Sequence, residues 1–164
     1  TFVKAEKGTY VQILEPGTGT LTDSSILLVN YTGKSMAGVA FDSNTDSSFQ
    51  HVEPYPIDMR NPEVITGWVD GLKLLKKGGK AKFYVPSSLG YRKTGNGDKI
   101  KPNENLVFDI AVVDIITPTQ YAVILKKKQE AQMAQQRMMQ QMQQQMQQQQ
   151  QQQPQQQQPQ TGNK

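Results

Sequence analysis

The residues of this chain best suited to chemistry are aromatic, and they are scattered. Glu63-Val64-Ile65-Thr66-Gly67-Trp68 sets a lone Trp at the start of a short apolar segment, while Tyr31, the pair Phe41-Asp42, Tyr91 and Phe108 come from four other segments. No metal-ligand cluster, nucleophile triad or phosphate loop competes with this set. A lining of this kind suits a reaction that needs no nucleophile: rotation about a peptide bond held in a dry aromatic cup. An amide resists rotation by roughly 18–20 kcal/mol because nitrogen conjugates with the carbonyl. Bonds preceding proline populate both isomers and exchange over roughly tens to hundreds of seconds. A catalyst need only favour the twisted state over the two planar ones. Twisting removes the conjugation and lowers the charge separation, so a water-poor environment reduces its relative cost.

The elements that must position these side chains read as several strands and one short helix. Strands are expected over Thr9–Leu14, Ser25–Thr32, Val39–Asp42, Tyr55–Met59, Lys80–Val85 and Asn105–Ile116, from alternation or apolar runs bounded by turn residues. Pro62 to Lys76 carries the body's helical pattern, with Val64, Ile65, Trp68, Val69, Leu72 and Leu75 near one face. Pro62 suits its entry, Lys73, Lys76 and Lys77 its C-terminal dipole end, and Gly78-Gly79 its stop. Ser43–Glu53 is a polar loop, and Pro86–Asn103 is a long one of the kind that often carries function. The layering this implies is α+β, an antiparallel sheet with a helix across one face.

Composition divides the chain. Residues 1–8 are polar and read as a linker or the end of an upstream region, 9–118 as the globular domain, and 119–164 as a Gln/Met-rich tail. From Lys126 onward 21 of 39 residues are Gln. Met138, Met139, Met142 and Met146 form a ragged stripe, so the tail is expected to be helical at first and then disordered, with Pro154 ending the helix. A wholly disordered extension and Met-based copper binding are the other readings of that stretch. The net charge of +4 lies entirely in the tail: residues 1–125 hold thirteen Lys plus Arg and thirteen Asp plus Glu. The body therefore carries no electrostatic footprint for nucleic acid. Cysteine is absent, which excludes disulfides and thiol chemistry. No apolar run reaches the roughly 18 residues that would span a bilayer.

Five motifs in order, VNYTG (Val29–Gly33), Phe41-Asp42, EVITGWVDGL (Glu63–Leu72), VPSSLGY (Val85–Tyr91) and NLVFDI (Asn105–Ile110), resemble the FKBP-type peptidyl-prolyl cis–trans isomerases, the rapamycin-binding kind. The resemblance covers about Tyr10 to Ile116. It implies a five- or six-stranded antiparallel sheet wrapped around one short helix, here with a Gln-rich C-terminal extension. It also implies the site: Trp68 as floor, Tyr31, Phe41, Tyr55, Val64, Ile65 and Phe108 as lining, Ile100 as a further substrate contact, and Asp42 and Tyr91 as polar rim. The Ile65 backbone N–H would receive a ligand carbonyl. Of these, Asp42, Tyr91, Phe41, Trp68 and Phe108 would carry catalysis, with no metal or cofactor.

Three positions depart from the family pattern: Arg92 where Gly is usual after Tyr91, Lys99 where an apolar residue is usual, and Asn96 where some members have His. They alter the rim. Without the resemblance, a lone Trp on an apolar helix face is ordinary core, His51 is a surface residue with no partner, and Glu63 is a helix N-terminal charge. The implied clients are unfolded or partly folded proteins containing proline, with macrolides as inhibitors. The alternative is a low-activity binding or chaperone module whose tail mediates association. The Thr1 start and absence of Cys suit a bacterial cell envelope or periplasmic location, with the cytoplasm as alternative.

Overall fold

The computed structural model describes residues 1–151. Its strands are β1 (Phe2–Lys4), β2 (Tyr10–Glu15), β3 (Ile26–Ser35), β4 (Ala40–Ser43), β5 (Tyr55–Asp58), β6 (Lys80–Val85) and β7 (Leu106–Ile116). Two helices, α1 (Thr66–Leu72) and α2 (Pro118–Gln151), and two 3-10 turns at Ser47–Phe49 and Ser87–Leu89 complete it. The strands form one antiparallel sheet in the order β1-β2-β6-β7-β3-β4, with β5 pairing β3 beside β4. The fold is α+β, and its seventh strand comes from a segment the sequence reading set aside. Within residues 1–8, Phe2, Val3 and Lys4 pair with Gln12, Val11 and Tyr10.

Alternation along the strands explains which face is buried. Val11, Leu27, Val29, Phe83, Val85, Leu106, Phe108, Ile110 and Val112 point into one core with Leu72 and Leu75. Each such side chain contributes about 1.5–3 kcal/mol through removal from water. The opposite face carries charge. Asp109 on β7 accepts from Lys34 of β3 at 2.8 Å and Lys82 of β6 at 2.6 Å, bridging three strands. Burial raises the Asp109 pKa, but these two ammonium groups outweigh it and hold the carboxyl below its ordinary range.

Helix α1 is shorter than the periodicity of Pro62–Lys76 suggests. Ile65 is extended (φ −58°, ψ 148°), so the chain enters the helix only at Thr66. Beyond Leu72 it continues in tight turns, Leu74 N–H to Gly71 O and Leu75 N–H to Leu72 O, which keep Leu75 fully buried outside the helix. Two glycines bring α1 onto the sheet. A Cβ on Gly67 would lie 2.4 Å from Val85 Cγ1, and one on Gly71 would lie 2.6 Å from the Phe83 ring.

A buried carboxylate fastens the other side of α1. Asp70 accepts the backbone N–H of Lys7 at 2.9 Å and of Thr9 at 3.0 Å, and the Thr9 hydroxyl donates to Gly67 O at 3.1 Å. The N-terminal segment is thereby tied to the helix some sixty residues away.

From Ala122 onward the chain forms a separate unit. Within α2, Val123, Leu125, Met133, Met138, Met139, Met142 and Met146 are exposed. The expected break at Pro154 and the disordered end lie outside the described residues. No helix among the described residues is long and apolar enough to cross a membrane.

Replacing Asp70 by Ala strands two backbone donors beneath α1, and each lost partner costs roughly 1–3 kcal/mol. The urea midpoint should fall accordingly with an unchanged m-value. A midpoint equal to that of the parent chain would show that Asp70 does not tie the two segments.

Candidate functional site

The edge of β3 is shared between two partners, and the site grows from that fork. Ile26–Val29 pairs with β5, and Thr32–Lys34 pairs with β4. Between them, the side chain of Asn44 stands in for a missing strand. Its Oδ1 accepts Tyr31 N–H at 2.7 Å, and its Nδ2 donates to Val29 O at 2.9 Å and Glu53 O at 2.8 Å. The Asn44 N–H and the Ser43 hydroxyl both donate to Tyr31 O. Tyr31 is therefore fixed at its backbone before its ring makes any contact.

That ring opens a cavity of about 540 Å³. Trp68, from the first turn of α1, forms the floor and is 5% exposed. Phe108 of β7 and Phe41 of β4 form one wall, and Tyr31 and Tyr55 the other. The rings meet edge to face: Trp68 with Tyr31 at 5.0 Å and 74°, Trp68 with Phe108 at 5.3 Å and 86°, and Phe41 with Phe108 at 5.7 Å and 88°. Such pairs add about 0.5–1.5 kcal/mol beyond burial. The Phe41 and Phe108 rings fill the space that a side chain on Gly33 would need. Val64 and Ile65 close the side where the chain enters α1, and Tyr91 closes the side of the long loop.

The indole N–H of Trp68 is the one buried side-chain donor without a partner among the described residues. An unmade buried hydrogen bond costs roughly 1–3 kcal/mol, and the chain carries that cost at the cavity floor.

The polar rim is wired rather than free. Tyr31 O–H donates to Asp42 Oδ2 at 2.7 Å, Ser43 N–H donates to Asp42 Oδ1 at 3.0 Å, and His51 Nε2 lies 2.9 Å from the same Oδ1. With two donors and the His51 imidazole around it, Asp42 is positioned to orient the Tyr31 phenol. Burial, reinforced by that bond, pushes the Tyr31 pKa well above the ordinary phenol range. Burial also raises Tyr91, against a side-chain hydrogen bond with Asn96 that pulls it down.

Nine of the ten residues singled out in the sequence line this cavity: Tyr31, Phe41, Asp42, Tyr55, Val64, Ile65, Trp68, Tyr91 and Phe108. Ile100 does not. It is 2% exposed in the core and anchors the long loop, with backbone bonds to Asn96 at 2.9 and 3.3 Å on either side of the turn. Two residues were read otherwise. His51 is on the surface but has a partner in Asp42. Glu63 stands three residues before α1 and lines the cavity, so it is a rim charge and not a helix terminus. Contact between His51 and Asp42 depends on the path of the 44–54 loop, for which nine residues of spacing give no signal.

Known proteins resemble this chain in sequence and fold. The family model described as FKBP-type peptidyl-prolyl cis-trans isomerase matches residues 17–113. A probable FKBP-type peptidyl-prolyl cis-trans isomerase FkpA from Neisseria meningitidis serogroup B is 43% identical over 97 residues, 59% of this chain and 34% of that protein. A probable FKBP-type isomerase from Haemophilus influenzae is 37% identical over 111 residues, 67% of this chain and 44% of that protein. The crystal structure of FkpA from Escherichia coli aligns with a TM-score of 0.61 at 37% identity, covering 71% of this chain and 52% of that one. The chain thus spans less than half the length of these two curated relatives.

The Tyr31 shift fixes a sign. A phenol whose folded pKa is raised contributes stability that is complete below about pH 10, the unfolded value, and is lost as pH rises through the folded value. Unfolding free energy should therefore drop above about pH 10, and drop less steeply in Tyr31→Phe. Equal alkaline slopes in the two proteins would place the Tyr31 phenol in water.

Proposed function

The chain belongs to the FKBP-type peptidyl-prolyl cis–trans isomerase family, and from that premise we propose that it accelerates rotation about Xaa-Pro bonds in unfolded or partly folded proteins. The observation that carries this reading is the cavity itself: a Trp68 floor and Tyr31, Phe41 and Phe108 walls. Its volume of about 540 Å³ is in the range of small-ligand sites.

In this reading the proline ring rests on the Trp68 indole, and the aromatic walls keep water from the amide. Water stabilises the polar planar amide, so its exclusion lowers the relative cost of the twisted state. The preference for the transition state over both ground states is what accelerates exchange. The Ile65 N–H, at the mouth of α1 where leading amides lack intrahelical acceptors, receives a client carbonyl. Tyr91 holds a second group from the loop side, so that rotation is confined to one bond. Asp42 acts through Tyr31 by fixing the phenol. No proton is transferred and no covalent bond is formed.

The same cup suits macrolide inhibitors, which would compete with the client. The matched relatives named above are bacterial proteins, which supports the bacterial part of the expected location.

An exchange experiment by NMR on a blocked Xaa-Pro peptide tests the proposal. The full chain should raise the cis–trans exchange rate, and rapamycin should abolish the gain while altering Trp68 emission. In Tyr91→Phe, loss of one hydrogen bond worth about 1 kcal/mol should lower kcat/KM roughly fivefold. Exchange at the uncatalysed rate, with rapamycin still bound, would identify a binding module and reject the isomerase reading.

A further inference from the structure

Next to the aromatic cavity in the chain, and sharing no lining residue with it, is a second concavity of about 610 Å³. Ser87, Ser88, Arg92, Lys93, Thr94 and Asn103 line it. They bring two cations, three hydroxyls and an amide, and no carboxylate. The one acidic residue between Pro86 and Asn103, Asp98, is not part of the lining.

Arg92 is held there against the backbone's preference. Its φ is 51°, in the left-handed region that non-glycine residues seldom occupy. Strain of this kind persists where the surroundings enforce it, and it clusters at functional positions. Here the Arg92 N–H donates to Ser87 O at 2.9 Å, and its carbonyl accepts Asn103 N–H at 2.7 Å. The guanidinium Nε donates to Ser88 O at 3.2 Å, which sets the plane of the group.

Charge pairing elsewhere makes the contrast. Lys34 and Lys82 share Asp109, Lys77 pairs with Asp114, Lys80 with Glu15, and Arg60 with Asp58. Among the described residues, Arg92, Lys93, Lys99 and Lys101 have no carboxylate within ion-pair distance. Lys4, Lys7, Lys73 and Lys76 are likewise outside these ion pairs, but Arg92, Lys93, Lys99 and Lys101 lie together in one stretch that holds a single acid, Asp98. The aromatic cavity itself is lined by Asp42 and Glu63, so the two neighbouring sites differ in sign.

We propose that the concavity at Arg92 seats an anionic side chain of the client, a carboxylate or a phosphoester, a few residues from the proline held over Trp68. This rests on the isomerase reading above. Tyr91 lines one site and Arg92 the other, and three residues of extended client cover about 10 Å. The guanidinium fork matches the oxyanion geometry. An acid running toward Arg92 is attracted, whereas one running toward Asp42 and Glu63 is repelled, so the preference applies to one flank of the proline and sets the direction in which the client lies.

The test uses the full chain and blocked peptides with a common Leu-Pro centre. Glu, phosphoserine, Lys or Gln is placed three residues before or three residues after the proline. On one flank, Glu should raise kcat/KM about two- to fivefold over Gln, phosphoserine should raise it further, and Lys should lower it. In R92N/K93Q, whose Asn tolerates the left-handed backbone, the acidic peptides should fall to the Gln rate with the Gln rate unchanged. Acidic and Gln peptides reacting alike, a preference that survives in the double variant, or equal gains on both flanks would each overturn the seat. If the Gln peptide itself is not accelerated, the isomerase reading fails instead. The Arg92 Nε–H NMR signal then decides the seat without turnover: movement with acidic but not Gln peptide supports it, and no movement overturns it.

Discussion

Helix α1 lies against β6 at a separation that a single methyl group on Gly67 or Gly71 would forbid. The glycines weaken a seven-residue helix that has little propensity to spare, so tertiary packing must hold it. Val85 and Phe83 fill the space from the sheet side, and the Asp70 carboxylate grips the N-terminal segment from the other. Trp68 is seated by this clamp. Were the helix to stand farther out, the indole would lose its contacts with Tyr31 and Phe108, and the cavity its floor.

The rim depends on a different device. A strand edge that changes partners midway leaves backbone groups without a ladder, and buried groups of that kind must be satisfied. Asn44 supplies both a donor and an acceptor at the gap. The Asn44 side chain and backbone, with the Ser43 hydroxyl, satisfy the fork, and the 44–54 segment carries His51 across to Asp42. Tyr31, Ser43 and His51 hold Asp42 at the wall, while Arg92 and Lys93 line a separate concavity on the loop after Tyr91.

Much of this was legible in the chain. Alternation in Lys80–Val85 and Leu106–Ile116 places Phe83 and Phe108 on the inward face, because a strand has a period of two; that Phe108 faces the cavity came from the family resemblance. The helical pattern was legible too, but it overran: Leu75 obeys the spacing of a helix while lying in a turn, since burial, not helix geometry, sets where apolar residues fall. Three polar or charged features were not legible. Phe2–Lys4 joins the sheet through backbone bonds that its composition does not signal. Asn44 and Glu63 take roles fixed by where loops cross. Ile100 is buried and is not among the residues lining the cavity.

The right-angle arrangement of the rings has a consequence for what the cup can distinguish. Each aromatic ring is a quadrupole, electron-rich over its faces and electron-poor around its edge. With Trp68 near-perpendicular to both Tyr31 and Phe108, a guest meets faces and edges on adjoining sides. The C–H groups next to an imide nitrogen are polarised positive and favour the faces, while an acyl oxygen favours the edges. If a proline is the guest, as proposed, these aromatic walls would distinguish it from an all-carbon ring of the same size by ring electrostatics.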